Sequence, residues 1–320
     1  MAWFKGLVTT AVVLAAAAGM ICCHLFTLPN ERGTETQLLI EKGAGSRQVA
    51  EQLAEAGVIS HPLLFRLAAR VSGLDKDLKA GEYVFLPGIS MREALAIISR
   101  GEVHYRRLTL PEGLTTARML ALIRAEPNLE GEITETAGEG ELLPETYSYI
   151  KGDSRNDIVK RARLAMEKTL EEAWRQNRQK VLKNRRQLLT LASIIEKETG
   201  VPEERADVAA VFINRLKTGM KLQTDPTVIY AITKGRRELG RPLYRKDLAV
   251  DSAYNTYKYY GLPPGPICNP GREAIFAAVR PSDADYLYFV ASGRGGHRFA
   301  RSLNEHNQNV NLYKKAIKKK

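Results

Sequence analysis

From Gly6 to Phe26 the chain runs for 21 residues without a charged side chain. A helix rises about 1.5 Å per residue, so such a run reaches roughly 30 Å, the thickness of a bilayer's hydrocarbon core. The pattern predicts a transmembrane helix over residues 6–26, preceded by a stub, 1–5. Lys5 and the terminal amine favour a cytoplasmic N-terminus. Ala16-Ala17-Ala18 offers a small-x-small motif of the kind that signal peptidases cut. The apolar run continues past it through Met20, Ile21, Leu25 and Phe26, which favours an uncleaved anchor, because signal-peptide cores are shorter. Met20-Ile21 before Cys22 lacks the small residues of a lipoprotein signal. On either processing route, the chain beyond Asn30 lies outside the cytoplasmic membrane.

That location narrows the meaning of the charge. The chain of 320 residues carries 48 Lys+Arg against 36 Asp+Glu, a net of +12. Five lysines (Lys314, Lys315, Lys318, Lys319, Lys320) crowd a basic tail, 314–320, and the remaining charge is scattered. No helix-turn-helix, RNP or zinc-finger pattern accompanies it, so nucleic acid is not an expected partner. A solvated basic surface, or one attracted to anionic lipid or polymer, remains. The length allows about two domains. Cys22 and Cys23 sit in the apolar run and Cys268 stands alone, which excludes a disulfide framework. The five histidines form neither HExxH nor a Cys/His ladder. No metal and no cofactor are therefore expected.

Residues 27–35 are polar and turn-rich, as suits a linker. Thr36 to Ile40 reads as a strand. Ser46 can cap a helix through Val49 and Leu53, and Pro62 opens a second. Gly81 to Leu86 reads as a strand, and Ser90 starts a further helix. This β-α-α-β order makes a compact module, 36–101, without a catalytic cluster. Val103 to Leu110 suggests a strand, and Thr115 or Thr116 caps the next helix. Asp153 to Leu182 reads as a long charged helix.

Chemistry enters at residues 186–199. At about 100° per residue, Leu188, Leu189, Leu191, Ala192 and Ile195 share one arc. Glu196 lies at its edge, and Glu198 falls roughly 160° away, so the two carboxylates do not share a pocket. A glutamate against apolar neighbours holds its proton more tightly, as a general acid must. A helix-terminal glutamate that merely reaches for water has the same spacing. Downstream, Asp225 before Pro226 reads most simply as an N-cap with proline at the first helical position. Gln223 and Thr224 offer substrate hydrogen bonds. Tyr254-Asn255-Thr256-Tyr257 begins a loop with four tyrosines in seven residues, a surface suited to sugar rings. Tyr286 to Val290 reads as a strand, and His297 and His306 flank the start of the last helix.

The segment Ala192-Ser193-Ile194-Ile195-Glu196-Lys197-Glu198-Thr199 resembles the MltG-type (YceG-like) endolytic murein transglycosylases of bacteria. The likeness continues through Leu110-Pro111-Glu112-Gly113, Leu143-Pro144-Glu145-Thr146-Tyr147 and Val211-Phe212-Ile213-Asn214-Arg215-Leu216. Leu222-Gln223-Thr224-Asp225-Pro226, Tyr254-Asn255-Thr256-Tyr257 and Gly261-Leu262-Pro263-Pro264-Gly265-Pro266 complete it, within about residues 36–313. Glu145 stands where aspartate is usual.

The resemblance implies an α+β protein: a transmembrane helix, a LysM-like module over 36–101, then a mixed α+β catalytic domain over 102–313. It implies Glu196 as the catalytic residue, cleaving the β-1,4 bond between N-acetylmuramic acid and N-acetylglucosamine to leave 1,6-anhydro ends. Gln223, Thr224, Asn255, Tyr257, Asn214 and His297 are the expected substrate-site residues. Peptidoglycan strands are the expected partner, with peptidoglycan synthases beside them. Hydrolysis uses two carboxylates, so a face with Glu196 alone favours the intramolecular, lytic route. A muramidase using Asp225 as a second carboxylate and a non-catalytic wall-binding protein are the alternatives.

Overall fold

The computed structural model describes residues 2–30 and 34–318. The expected stub, linker and tail thus fall partly outside the described residues, at Met1, at 31–33 and at Lys319-Lys320. The chain divides into two compact units, 1–107 with 148–153, and 108–147 with 154–320.

The first unit opens with α1 (Ala2–Thr27). Its stretch Thr9–Thr27 has a mean hydropathy of 1.9, and no residue of it is fully buried within the protein. Next come β1 (Thr36–Ile40), α2 (Ser46–Glu55), α3 (Pro62–Val71), β2 (Gly81–Phe85) and α4 (Met91–Arg100). β1 and β2 pair antiparallel, from Thr36 opposite Phe85 to Ile40 opposite Gly81. One face of this ribbon and the apolar stripes of the three short helices enclose Val49, Leu53, Phe65, Tyr83, Phe85 and Ile98. Phe26, near the end of α1, packs against the same core. Beyond it Pro29 bridges Ser90, and the Asn30 amide donates to the Gly57 carbonyl at 2.7 Å. Ser90 caps α4 in a reciprocal box, its hydroxyl accepting from Glu93 N–H while Glu93 accepts from Ser90 N–H. Ser46 differs from expectation. It is the first helical residue, and Gly45 holds the cap position without a side-chain bond.

The second unit is mostly helical. The chain enters along β3 (Arg106–Thr109) and continues through α5 (Thr116–Ala125), β4 (Leu129–Glu130), β5 (Thr146–Tyr149), β6 (Asp153–Ser154) and α6 (Arg155–Trp174). Parts of β3, β5 and β6 count with the first unit. There follow α7 (Arg185–Glu198), α8 (Arg205–Lys217), α9 (Asp225–Thr233), α10 (Arg272–Val279), β7 (Tyr288–Ala291), β8 (His297–Ala300) and α11 (Leu303–Ile317). Among the described residues every sheet is two-stranded, so helices build the core. α7 is its axis, packed by α6, α8, α9 and α10. Every side chain from Leu188 to Ile195 is buried. The sequence arc marked only one face of this helix. The remaining positions, Thr190, Ser193 and Ile194, are buried because neighbours close on all sides. Thr190 and Ser193 meet that burial by donating to the carbonyls of Arg186 and Thr190 at 2.8 and 2.7 Å.

Two further caps differ from the expectation drawn from sequence. Thr115 is the N-cap of α5 but makes no capping bond, and its hydroxyl donates to Gly235 O at 2.6 Å. Glu139 serves instead, accepting the Thr116 N–H at 2.7 Å. At α9 the N-cap is Thr224, and Asp225 is already helical. His297 lies on β8 and His306 inside α11, and Lys314 and Lys315 belong to that helix.

Candidate active site

Asn184 starts α7, its side-chain oxygen accepting the Gln187 N–H at 2.9 Å. Three turns later the helix emerges from the core at Glu196, which is half-buried. Glu196 Oε2 accepts the backbone N–H of Gly271 at 3.0 Å. Burial pushes the carboxyl's pKa up, and the Gly271 N–H draws it down. The Glu112 charge raises it further, Arg205 and Lys197 oppose, and the net shift is upward. Such a group holds its proton to a higher pH than an ordinary glutamate and still has a donor ready for its anion.

The Gly271 donor is fixed by a strap, residues 267–271, laid along α7. Ser193 Oγ accepts the Ile267 N–H at 3.0 Å, and Cys268 Sγ lies 3.4 Å from the Ser193 carbonyl. Cys268 is fully buried there. Burial raises its thiol pKa, so it serves as packing rather than as a nucleophile. Asn269, also fully buried, ties the strap to two other segments. Its Oδ1 accepts Leu142 N–H at 2.9 Å, and its Nδ2 donates to Leu114 O at 3.0 Å.

The Leu114 link brings the Pro111-Glu112-Gly113 turn beside Glu196. Gly113 N–H donates to Asn269 O at 3.0 Å, and Lys197 Nζ donates to Gly113 O at 3.3 Å. Glu112 reaches the strap directly, because a Cβ on Gly271 would lie 1.7 Å from Glu112 Oε1. Arg205 Nη2 holds the other Glu112 oxygen at 3.5 Å. Glu196 therefore has a carboxylate neighbour after all. It was not visible from the face of α7 because it arrives from a distant turn. Beside this group lies a cavity of about 400 Å³, lined by Gly113, Lys197, Pro226, Tyr230 and Arg237 among others.

Glu198 belongs to a separate cluster on the far side of α7, as the helical spacing predicts. Thr224 Oγ1 donates to it in a short hydrogen bond. Burial raises its pKa, and the charge of Asp225 adds to the rise. Tyr257 OH donates to Asp225 Oδ1 at 2.6 Å. Asp225 is thus engaged with Tyr257 and Glu198, and the second carboxylate at Glu196 is Glu112.

The other expected site residues divide by exposure. Gln223 is exposed, its amide has no partner among the described residues, and its φ is +50°. A non-glycine residue in the left-handed region is uncommon and marks a place where the surroundings dictate the backbone. Tyr257 is half-buried beside it. Thr224 and Asn255 are turned inward instead. Thr224 is spent on Glu198, and the Asn255 amide donates to Leu248 O and Val250 O at 3.0 and 2.7 Å. Asn214 likewise donates to Ala284 O and Tyr286 O, at 2.9 and 3.0 Å. His297 is clasped by Glu204, which meets its ring Nδ1 and its backbone N–H, both at 2.7 Å. These four residues spend the groups named here on holding loops together. Short polar side chains in loops offered the same pattern for either role. Glu112 and Asn269 were overlooked as site residues, although the Pro-Glu-Gly turn was visible.

Fold and site together define a mixed α+β protein with a helix-borne carboxyl of raised proton affinity, the kind of group that serves as a general acid. The profile of the YceG-like family matches residues 38–312, and the chain belongs to that family. An endolytic murein transglycosylase of Bacillus subtilis (strain 168) is 32% identical over 318 residues, covering 89% of this chain and 87% of the relative. One from Streptococcus pneumoniae serotype 2 is 30% identical over 319 residues, and the match spans 57% of that longer protein. The crystal structure of a yceG-like protein from Listeria monocytogenes superposes with a TM-score of 0.53 at 30% identity, covering 86% of this chain and 98% of that one.

Proposed function

We propose that the protein is a peptidoglycan lytic transglycosylase, anchored in the cytoplasmic membrane by α1 with its second unit on the outer face. It cuts the N-acetylmuramic acid β-1,4 N-acetylglucosamine bond within nascent glycan strands and leaves 1,6-anhydro ends. The observation that carries the reading is Glu196, half-buried, raised in pKa and hydrogen-bonded to Gly271 N–H. Relatives named endolytic murein transglycosylases support the substrate class.

Protonated Glu196 donates its proton to the glycosidic oxygen as the bond from that oxygen to C1 breaks. The carboxylate so formed keeps the Gly271 N–H bond, which stabilises the anion. It then removes the proton from the sugar's own 6-hydroxyl as that oxygen closes on C1. One group serves as acid and then base, and no water has to be positioned. Exposed Gln223 and half-buried Tyr257 are the substrate contacts, and the LysM-like first module and neighbouring synthases place the strand.

Glu112 favours a second reading. A carboxylate beside Glu196 and held by Arg205 has the makings of the base of a hydrolytic muramidase, which would leave reducing ends. Digestion of uncrosslinked glycan by the full chain, with the products weighed, separates the two. Anhydro ends support the lytic reading and reducing ends the hydrolytic one. A non-catalytic wall-binding role would leave the cellular phenotype intact in Glu196→Gln.

A further inference from the structure

The outward face of α3 is apolar. Leu63, Leu67 and Val71 recur every four residues and are 75%, 56% and 80% exposed. At about 100° per residue they form one stripe, diametrically opposite Phe65 and Ala69, the residues that α3 buries in its own unit. A stripe this exposed is not explained by the folding of the unit, which is complete without it. The helix carries no acidic residue. Its two charges, Arg66 and Arg70, fall along one margin of the stripe, and half-buried Leu64 and Ala68 fall along the other.

The location of α3 says what covers this face. α1 packs against α3 and α4, and the contact lies at its C-terminal end, where Phe26 enters the core of the unit. Leu28 and Leu86, just beyond that end, are also exposed. α3 therefore stands where the chain leaves the segment that the proposed function reads as membrane-spanning. A short helix with an apolar outer stripe, an arginine margin and no acid has the composition of an interfacial helix. Its aliphatic side chains suit the acyl boundary and its guanidinium groups suit lipid phosphates.

We propose that α3 lies in the headgroup–acyl boundary of the bilayer that α1 spans, with Leu63, Leu67 and Val71 immersed and Arg66 and Arg70 on lipid phosphates. The first unit would thereby be held at the membrane surface by two elements rather than tethered by one. This inference rests on the reading of α1 as a membrane anchor.

The test uses the full chain in vesicles of phosphatidylcholine with a minority of phosphatidylglycerol. An environment-sensitive thiol dye is placed in three ways: on native Cys22 and Cys23 in α1, on Leu67→Cys, and on Gln48→Cys in the exposed face of α2. The last two carry Cys22→Ala and Cys23→Ala. Lipids brominated near the headgroup end of the acyl chain serve as quencher. The proposal predicts quenching at position 67 several-fold greater than at position 48, and reduced when Arg66 and Arg70 are both replaced by glutamate. Quenching in α1 with none at position 67 overturns the proposal and leaves the anchor standing. Self-quenching between labels at position 67, without lipid quenching, also overturns it and assigns the stripe to a second copy. Absence of quenching in α1 overturns the anchor and the inference with it.

Discussion

Glu196 Oε2 and the backbone N–H of Gly271 are joined at 3.0 Å, and the side chain that Gly271 lacks leaves the space in which Glu112 stands. One glycine thus supplies a donor for the Glu196 carboxylate and room for a second carboxylate. It can do so because the strap carrying it is fixed along α7 by Ser193 and locked by Asn269.

Gly271→Ala keeps the N–H but places a methyl group on Glu112. The displaced group is the end of a flexible side chain, and the Arg205–Glu112 pair it disturbs is partly exposed. Such pairs contribute about 0–1 kcal/mol, so global stability should change by no more than that. Activity should fall by about tenfold to a hundredfold through misplacement of the reacting groups. Thermal melts beside product release rates check the two halves. A large loss of stability with unchanged activity per folded molecule would contradict the assignment.

Asn269→Ala should be much more costly to the fold. It leaves the buried Leu142 N–H without its acceptor and removes the amide tie to Leu114. Losses of this kind cost about 2–4 kcal/mol, to be read from urea unfolding midpoints. Asn255 and Asn269 also show where residue type is silent. Both are asparagines in polar loops near the expected site, and only Asn255 is an expected substrate contact. What decides their role is which carbonyls the fold brings within reach, and residue type does not carry that information.

Gln223→Gly should relieve the strain of a φ of +50°. Stability should rise by about 0.5–1 kcal/mol, while KM for glycan strands increases if the exposed amide binds substrate. Glycine at this site with unchanged kinetics would remove Gln223 from the list of contacts. The positive φ could not be read from the sequence, since it goes with hydrogen bonds that the Gln223 and Thr224 N–H groups make to the distant Thr256. The half-buried place of Glu196 was legible because a 3.6-residue period puts it at the rim of an apolar arc, and so was the separation of Glu198. Glu112 was not, because its place depends on contacts far apart in the chain.

The raised pKa of Glu196 sets two pH dependences. Bond cleavage needs the protonated acid, so activity should fall as pH rises through the raised value. For stability, a carboxyl whose folded pKa exceeds its unfolded one contributes a stabilisation that is full below the unfolded pKa. That contribution is lost as pH rises through the folded pKa. The melting temperature of Glu196→Gln relative to the native protein should therefore climb with pH over that window. Glu198 and Glu139 are also raised by burial, and their glutamine variants should drift the same way. A difference independent of pH would mean that Glu196 titrates as an ordinary surface glutamate.

The central claim is that Glu196 alone acts as acid and then base on a glycan strand. The measurement is the mass of the fragments released from uncrosslinked peptidoglycan by the native chain and by Glu196→Gln. The account predicts fragments ending in 1,6-anhydro-muramic acid, lighter by one water than reducing ends, with release falling by about a thousandfold in the variant. Fragments with reducing ends, or undiminished release from the glutamine variant, would contradict it.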